Sequence, residues 1–294
     1  MDASAIDELW NFDDPAASEA RFRRWMSDLG PAGDPALLVE AQTQRARAQG
    51  LQRCFDEAHR TLDQVEARLA GMPPRVYVRY LLERGRVFNS SGQPERAYPL
   101  FRAAWVQALT TGEDGLAVDA AHMLGIVEPG ERGMSWNLRA LDVAIASSQP
   151  AARRWQGPLY NNIGWSCFAA GQYEDALAMF EQALEWQQAN GAEKDIRIAR
   201  WCVARASRSL GRVEQALAMQ QALFAEYEQT LHEDGYVSEE LGECLLALDR
   251  PAEARPHFRR AYALLSQDLW LPEREPDRLA RLRQFASDEG GSSR

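Results

Sequence analysis

The most regular pattern of apolar and polar positions runs from Gly157 to Gly191. Tyr160, Ile163, Gly164 and Cys167 recur at i, i+3, i+4 and i+7, which is one face of a helix. Gly171 interrupts the run, and Ala176, Leu177, Phe180, Ala183 and Leu184 resume the same period as a second face. Pro158 suits a first helical turn and Asn190-Gly191 a stop. The spacing predicts two helices joined by a tight turn, with Gly164 and Ala176 small enough to let the backbones approach where they cross. The pattern repeats. Small residues equivalent to Gly164 stand at Ala46, Gly85, Gly125, Gly164, Ala204 and Gly242, at successive spacings of 39, 40, 39, 40 and 38 residues. Six helix pairs at a nearly constant period predict an architecture in which each pair buries its apolar face against its neighbour.

The pairs are unequal. The second (Gly85, Phe88, Gly92, Ala97, Phe101, Ala104) and the sixth (Leu241, Gly242, Leu245, Ala254, Phe258, Ala261) follow the pattern closely. The fifth keeps Val203, Ala204, Leu210, Gly211 and Ala216 but places Gln220 where Phe is expected and Leu223 where Ala is expected. The first is weak before its turn (Arg45, Ala46) and clear after it (Phe55, Ala58, Leu62, Val65). The third keeps Leu124-Gly125 and Ala140-Leu141, but Pro129-Gly130 cuts its first helix short, so an irregularity is expected there. A helix from Pro15 through Phe22, Trp25 and Met26 to Leu29 precedes the repeats. Another, with Leu279, Leu282 and Phe285 on one side, follows them. The expected organisation is an acidic segment and capping helix over 1–35, a solenoid over 36–268, a capping helix over 269–287 and a disordered tail over 288–294, since a solenoid must cover its exposed ends.

In the fourth pair the aromatic Tyr160, the dipeptide Ile163-Gly164, then Ala176, Phe180 and Ala183 stand where the tetratricopeptide repeat has its signature residues, and the chain resembles that family. The resemblance implies an all-α solenoid, a right-handed superhelix of about six helix-turn-helix pairs with terminal capping helices. The surplus over the short repeat of ~34 residues resembles the long repeats of kinesin light chain and of bacterial peptide-sensing regulators. The family lines a concave groove with fixed positions of each first helix. Carried over, they include Arg79, Glu83, Arg86 and Asn89 in the second pair and Asp119 and His122 in the third. In the fourth they include Asn161, Asn162, Trp165 and Phe168, in the fifth Ile198, Trp201, Cys202, Arg205 and Arg208, and in the sixth Tyr236, Glu239, Glu240 and Glu243. The resemblance places at Asn162 an amide that grips a ligand peptide's backbone, since it offers donor and acceptor together. The lysines of the family's chaperone-binding carboxylate clamp are missing.

Charge narrows the function. The net charge is −10, which argues against nucleic acid and anionic membrane surfaces as partners. No apolar run reaches the ~20 residues of a membrane span, and the acidic start lacks the features of a signal peptide, so a cytoplasmic protein is expected; the resemblance to the long-repeat regulators implies a bacterial one. The four cysteines have no Cys-x-x-Cys spacing and read as buried, reduced thiols. Lys194 is the only lysine, so a phosphate-cradling Gly-x-x-x-x-Gly-Lys loop is absent. Asp56-Glu57-Ala58-His59 spells a helicase box without that loop and reads as a helix start. No histidine has a second histidine or a cysteine at i+3 or i+4, and no nucleophile motif occurs. No catalytic residue, metal or cofactor is therefore expected.

Against this acidic background, residues 195–212 hold five arginines and one acid, with Trp201, Arg205, Arg208 and Arg212 on one helical stripe. Three readings stand: the stripe recognises a peptide, Glu239 and Glu243 neutralise Arg205 and Arg208 within the protein, or the stripe holds a small anionic ligand. The acidic segment carrying Trp10 and Phe12 likewise either caps the first pair or lies on this stripe. The expected function is a non-enzymatic scaffold binding a protein or peptide partner in its groove, with a homo-oligomer compatible. The alternative is a ligand- or peptide-sensing protein acting on a partner regulator.

Overall fold

Proline and aspartate punctuate the helices. Proline is the first residue of seven, where its missing N–H costs nothing. Asp14, Asp34 and Asp234 cap three helices by accepting from the backbone N–H of Ala17, Ala36 and Tyr236 at 2.8–2.9 Å. The computed structural model describes residues 4–30, 33–128, 130–230, 233–268 and 271–287, with Ser4 as backbone only. In chain order the helices are α1 (Ser4–Asp7), α2 (Pro15–Leu29), α3 (Pro35–Leu51), α4 (Phe55–Glu66), α5 (Pro74–Ser90), α6 (Pro94–Thr111), α7 (Asp114–Val127), α8 (Glu131–Ala146) and α9 (Pro150–Arg153). They continue as α10 (Gln156–Ala169), α11 (Tyr173–Asn190), α12 (Glu193–Ser209), α13 (Val213–Gln229), α14 (Gly235–Ala247), α15 (Pro251–Leu265), α16 (Leu271–Arg274) and α17 (Pro276–Ser287). Among the described residues there is no strand. The six expected pairs are α3/α4, α5/α6, α7/α8, α10/α11, α12/α13 and α14/α15.

Each pair closes on one crossing. A Cβ built on Gly85 would meet the Phe101 ring at 2.5 Å, one on Gly164 the Phe180 ring at 2.5 Å, and one on Gly242 the Phe258 ring at 2.8 Å. All three rings are buried, each contributing roughly 1.5–3 kcal/mol. The equivalent positions hold Ala46 with Leu62 in the first pair and Ala204 with Gln220 in the fifth, all buried. Gly164 therefore makes the close approach expected of it, but its partner is Phe180 rather than Ala176. The third pair departs, because Gly125 faces the Asn137 carboxamide instead of an aromatic ring. The expected irregularity follows as α9, an extra turn whose Ala151 packs on Gly115 of α7. Pro129 and the tail expected over 288–294 lie outside the described residues.

The chain divides into two units, Met1–Leu159 and Tyr160–Arg294. In the first, Ile6 and Phe22 are buried with Ala41 of α3, and Leu9, Trp10, Trp25, Met26 and Leu37 pack around them. The acidic segment thus caps the first pair. In the second, Leu271 and Leu282 are buried on the last pair, and Phe285 stacks on Phe258 with centroids 5.1 Å apart. Residues of α1 and α2 thus cover the first pair, and residues of α16 and α17 the last. One cysteine departs from expectation. Cys167, Cys202 and Cys244 are buried and free, but Cys54, the residue before α4, is exposed.

Candidate functional site

Two side-chain clusters line the first helices of the pairs, one in each unit. In the Met1–Leu159 unit, Glu40, Gln44 and Arg47 recur at helical spacing on α3, Arg75, Arg79, Glu83 and Arg86 on α5, and Asp119 and His122 on α7. This periodicity turns their charged heads onto one surface, where they pair. Arg75 donates to Glu40 at 3.0 Å and to Glu113 at 2.8 Å. Arg79 donates to the same Glu40 at 3.2 Å and to Asp7 at 3.3 Å. Arg86 bridges Glu83, at 2.8 Å, and Asp119. Gln44 donates to Glu83 at 3.1 Å and accepts from the Trp10 indole at 3.1 Å. Burial works against charge here, yet Asp119 and Glu83 hold Arg86 above its ordinary range, and Arg86 and Arg47 hold Asp119 below the usual carboxylate range. Burial pushes the His122 imidazole down against the pull of Asp119, and its ring faces Trp155 at 5.3 Å.

This network surrounds a cavity of about 340 Å³ whose walls include Trp10, Gln44, Arg47, Arg79, Asp119 and Trp155. The volume falls near the lower end of small-molecule sites. Of the residues expected to bind in this unit, Arg79 lies in the cavity wall, while Arg86 and His122 sit against Asp119. Asn89, in the last turn of α5, joins neither cluster. Arg47, Trp10, Asp7 and Trp155 were not expected. Arg47 belongs to the pair whose first helix had the weakest pattern, and Trp10 and Asp7 come from outside the repeats, so period gave no signal for them.

In the Tyr160–Arg294 unit the surface is aromatic. Trp165 of α10 and Trp201 of α12 lie with ring centroids 5.8 Å apart, and Trp201 and Tyr236 of α14 lie 6.1 Å apart. The Trp201 indole donates to the Tyr236 carbonyl at 3.2 Å, which fixes the middle ring. Phe168 packs edge-on to Trp165 at 5.3 Å. The Arg205 guanidinium stands over three of these rings, 5.3 Å from Trp201, 5.6 Å from Phe168 and 5.8 Å from Trp165. All four rings are partly exposed, and Ile198, one turn before Trp201, is exposed. Asn161, on the same helix face as Trp165, takes a 3.4 Å hydrogen bond from the Cys202 thiol, and burial pushes that thiol up to about 12. The structure brings together Asn161, Trp165, Trp201, Arg205 and Arg208, and sets Asn162 beside Asn161 on α10.

The arginines are neutralised within the protein, but not by the expected residues. Glu240, 1% exposed at its side chain, accepts from Arg205 at 2.9 Å and from Arg208 at 2.8 Å. Glu239 accepts from Arg278 at 2.8 Å, and Glu243 pairs with Arg281. The reason is helical geometry. Glu239, Glu240 and Glu243 fan round α14, so only Glu240 faces α12 while the other two face α17. Even so, Arg205 keeps one buried donor, its Nε, without a hydrogen-bond partner.

Among the described residues no group of histidine, cysteine and carboxylate side chains is arranged to hold a metal, and no helix is long and apolar enough to cross a membrane.

Comparison with known proteins bears on the architecture. A tetratricopeptide-repeat family model matches residues 157–190, and a second such model matches residues 79–130. No curated protein matches the chain in sequence. Among solved structures, the apo form of RapI superposes with a TM-score of 0.73 at 12% identity, covering 97% of this chain and 80% of that one. The apo form of the quorum sensor NprR from B. thuringiensis gives 0.66 at 17% identity, with 97% and 82% covered. NprR in complex with its cognate peptide NprX gives 0.54 at 17% identity, with 97% and 87% covered. At such identities the likeness speaks for the fold. With repeat models matched at residues 79–130 and 157–190 and helix pairs at a constant period, the chain carries tetratricopeptide repeats there and has the helix-pair fold of tetratricopeptide-repeat proteins.

Proposed function

We propose that the chain is a non-enzymatic interaction protein of the bacterial cytoplasm that binds an extended peptide segment of a partner along the α10–α12–α14 surface. The observation that carries this reading is the ring series Trp165, Trp201, Tyr236, one from each of three successive first helices, with Arg205 laid across it. Large rings held in place before binding lose little entropy on contact, which is why tryptophan, tyrosine and arginine dominate binding surfaces. The spacing of about 6 Å between rings is close to the ~6.5–7 Å that separates alternate side chains of an extended strand. A peptide lying across the helices would therefore set every second side chain against one ring. Arg205, whose side chain is 24% exposed over these rings, adds a secondary preference for an acidic residue near Trp201. The NprR structure with its cognate peptide supports the reading by showing a peptide bound by a chain of this architecture. The competing idea of a free basic patch is weakened by Glu240, which leaves the stripe aromatic first and basic second.

The test is selection of extended peptides from a displayed random library on the intact chain, followed by binding to Trp201→Ala and Arg205→Gln. Peptides that lose at least ~10-fold in affinity on Trp201→Ala support the proposal. Peptides that bind both variants as tightly as the parent place recognition elsewhere and overturn it.

A further inference from the structure

The cavity of the Met1–Leu159 unit is a separate site, independent of the peptide surface, and its hydrogen bonds are unevenly spent. Every carboxylate on its wall is engaged: Asp7 by Arg79, Glu113 by Arg75, and Asp119 by Arg86. Two of the guanidiniums on the same wall are not matched. Among the described residues, the carboxylate within 4 Å of Arg154 is Asp7, at 3.8 Å. The carboxylate within 4 Å of Arg47 is Glu83, at 3.9 Å, and that same oxygen already accepts from Arg86 and Gln44. Arg47 is nevertheless mostly covered, 24% exposed at its side chain, with its guanidinium 5.4 Å from the Trp10 ring and 5.3 Å from the Phe12 ring, and those two rings stack on each other at 4.7 Å. Burial and the neighbouring Arg86 push Arg47 down to about 10, the behaviour of a cation short of counter-charge.

We propose that this cavity binds a small aromatic carboxylate, its anionic group taken by Arg47 and Arg154 and its ring received by the aromatic wall of Trp10, Phe12 and Trp155. The volume of about 340 Å³ admits one amino-acid-sized molecule rather than a folded segment. A planar guanidinium with spare donors suits a carboxylate through two parallel hydrogen bonds. Three carboxylates already in the wall oppose a dianion such as phosphate, whereas a single negative charge meets two unspent cations. The same chemistry has two sources, a free aromatic acid and the C-terminal residue of a peptide.

Calorimetric titration of the full chain with 3-phenylpropionate, its primary amide and inorganic phosphate tests the proposal. The acid is expected to bind and to weaken with added salt, and the amide and phosphate to bind at least ~10-fold more weakly. Arg47→Gln should lower affinity for the acid by ~10-fold or more, and Arg154→Ala by a smaller factor, since that side chain is exposed. Arg250→Gln, at an exposed arginine paired with Glu253 in the other unit, should change nothing. Arg154→Ala also guards against misfolding of Arg47→Gln, because it removes no buried group. A short peptide ending in phenylalanine, as free acid and as amide, separates the sources: binding of the free-acid peptide points to a chain terminus, and binding of phenylpropionate alone points to a metabolite. Equal binding of acid and amide, no binding of either acid probe, or full affinity in both variants overturns the site.

Discussion

The fourth and fifth helix pairs make a natural comparison. Their second helices share Ala-Leu-Ala-Met at residues 176–179 and 216–219, and from 171–190 to 211–230 every residue matches its counterpart in burial. The difference sits at the crossing. The fourth pair sets Gly164 against Phe180, while the fifth has Ala204 and Gln220 at the equivalent positions. Both 180 and 220 are completely buried, but the Gln220 amide has neither its oxygen nor its nitrogen hydrogen-bonded. Period and helix length therefore set the backbone and the burial pattern, and a residue of roughly the right volume fills the crossing whatever its polarity. The energetic consequence differs. A buried ring contributes stabilisation, and a buried amide without partners costs about 1–3 kcal/mol.

The sharpest way to break the equivalence is to truncate both crossings. Phe180→Ala should cost about 3–5 kcal/mol, the range for deleting a buried aromatic side chain. Gln220→Ala should cost less than about 1 kcal/mol, because the lost packing is offset by removal of two unsatisfied polar atoms. Urea denaturation of the two variants reads the contrast, and equal losses would show that the two crossings do the same work.

A smaller effect is expected from the glycine side of the fourth crossing. Gly164→Ala places a methyl group 2.5 Å from the Phe180 ring, so the variant should lose about 1–3 kcal/mol despite the better helix propensity of alanine. The first pair already solves the same problem with Ala46 and Leu62. Gly164→Ala combined with Phe180→Leu should therefore recover part of the loss, and a double-mutant cycle with no coupling would refute the contact.

The reverse change repairs the fifth crossing. Gln220→Leu keeps a side chain of similar size beside Ala204 and removes the unsatisfied amide. It should stabilise the chain by about 1–2 kcal/mol. A melting temperature that falls instead would place a partner on the amide that the structure does not show.

These contrasts mark where sequence reading succeeds. The pairs, their turns and both end caps follow from period and from proline and glycine placement, because a helix must present its apolar face every 3.6 residues whatever lies beside it. Gln220 was visible as a departure from the pattern, although its lack of partners was not. The sites were less legible. Trp165, Trp201 and Arg205 are recoverable because they share one stripe of helices with well-marked repeats. Glu240, rather than Glu239 or Glu243, pairs with both arginines through the rotation of one helix about its axis, which spacing does not resolve. Arg47 and Trp10 meet across 37 residues, from a weakly patterned helix and a segment outside the repeats, so no local rule joins them.

The smallest expected effect concerns the turn that joins each pair. Seven residues after the small crossing residue, five of the six pairs place a left-handed residue: Gly92 at φ 79°, Gly171 at 75° and Gly211 at 77°, but Arg53 at 63° and Asp249 at 57°. The backbone demand is the same in all five, and two pairs meet it with side chains that disfavour it. A β-carbon in this region costs about 1 kcal/mol, less for aspartate, whose short polar side chain tolerates it. Arg53→Gly should therefore stabilise the chain by up to about 1 kcal/mol, and Asp249→Gly by a few tenths, after allowing for the greater freedom of glycine when unfolded. Gly171→Ala should show the converse loss of about 1 kcal/mol, although open space surrounds its Cβ position, because the strain lies in the backbone and not in a clash. Thermal denaturation of the three variants decides between the two origins. If Gly171→Ala is neutral while Arg53→Gly destabilises, the turn is held by the side chain of Arg53 rather than by backbone conformation.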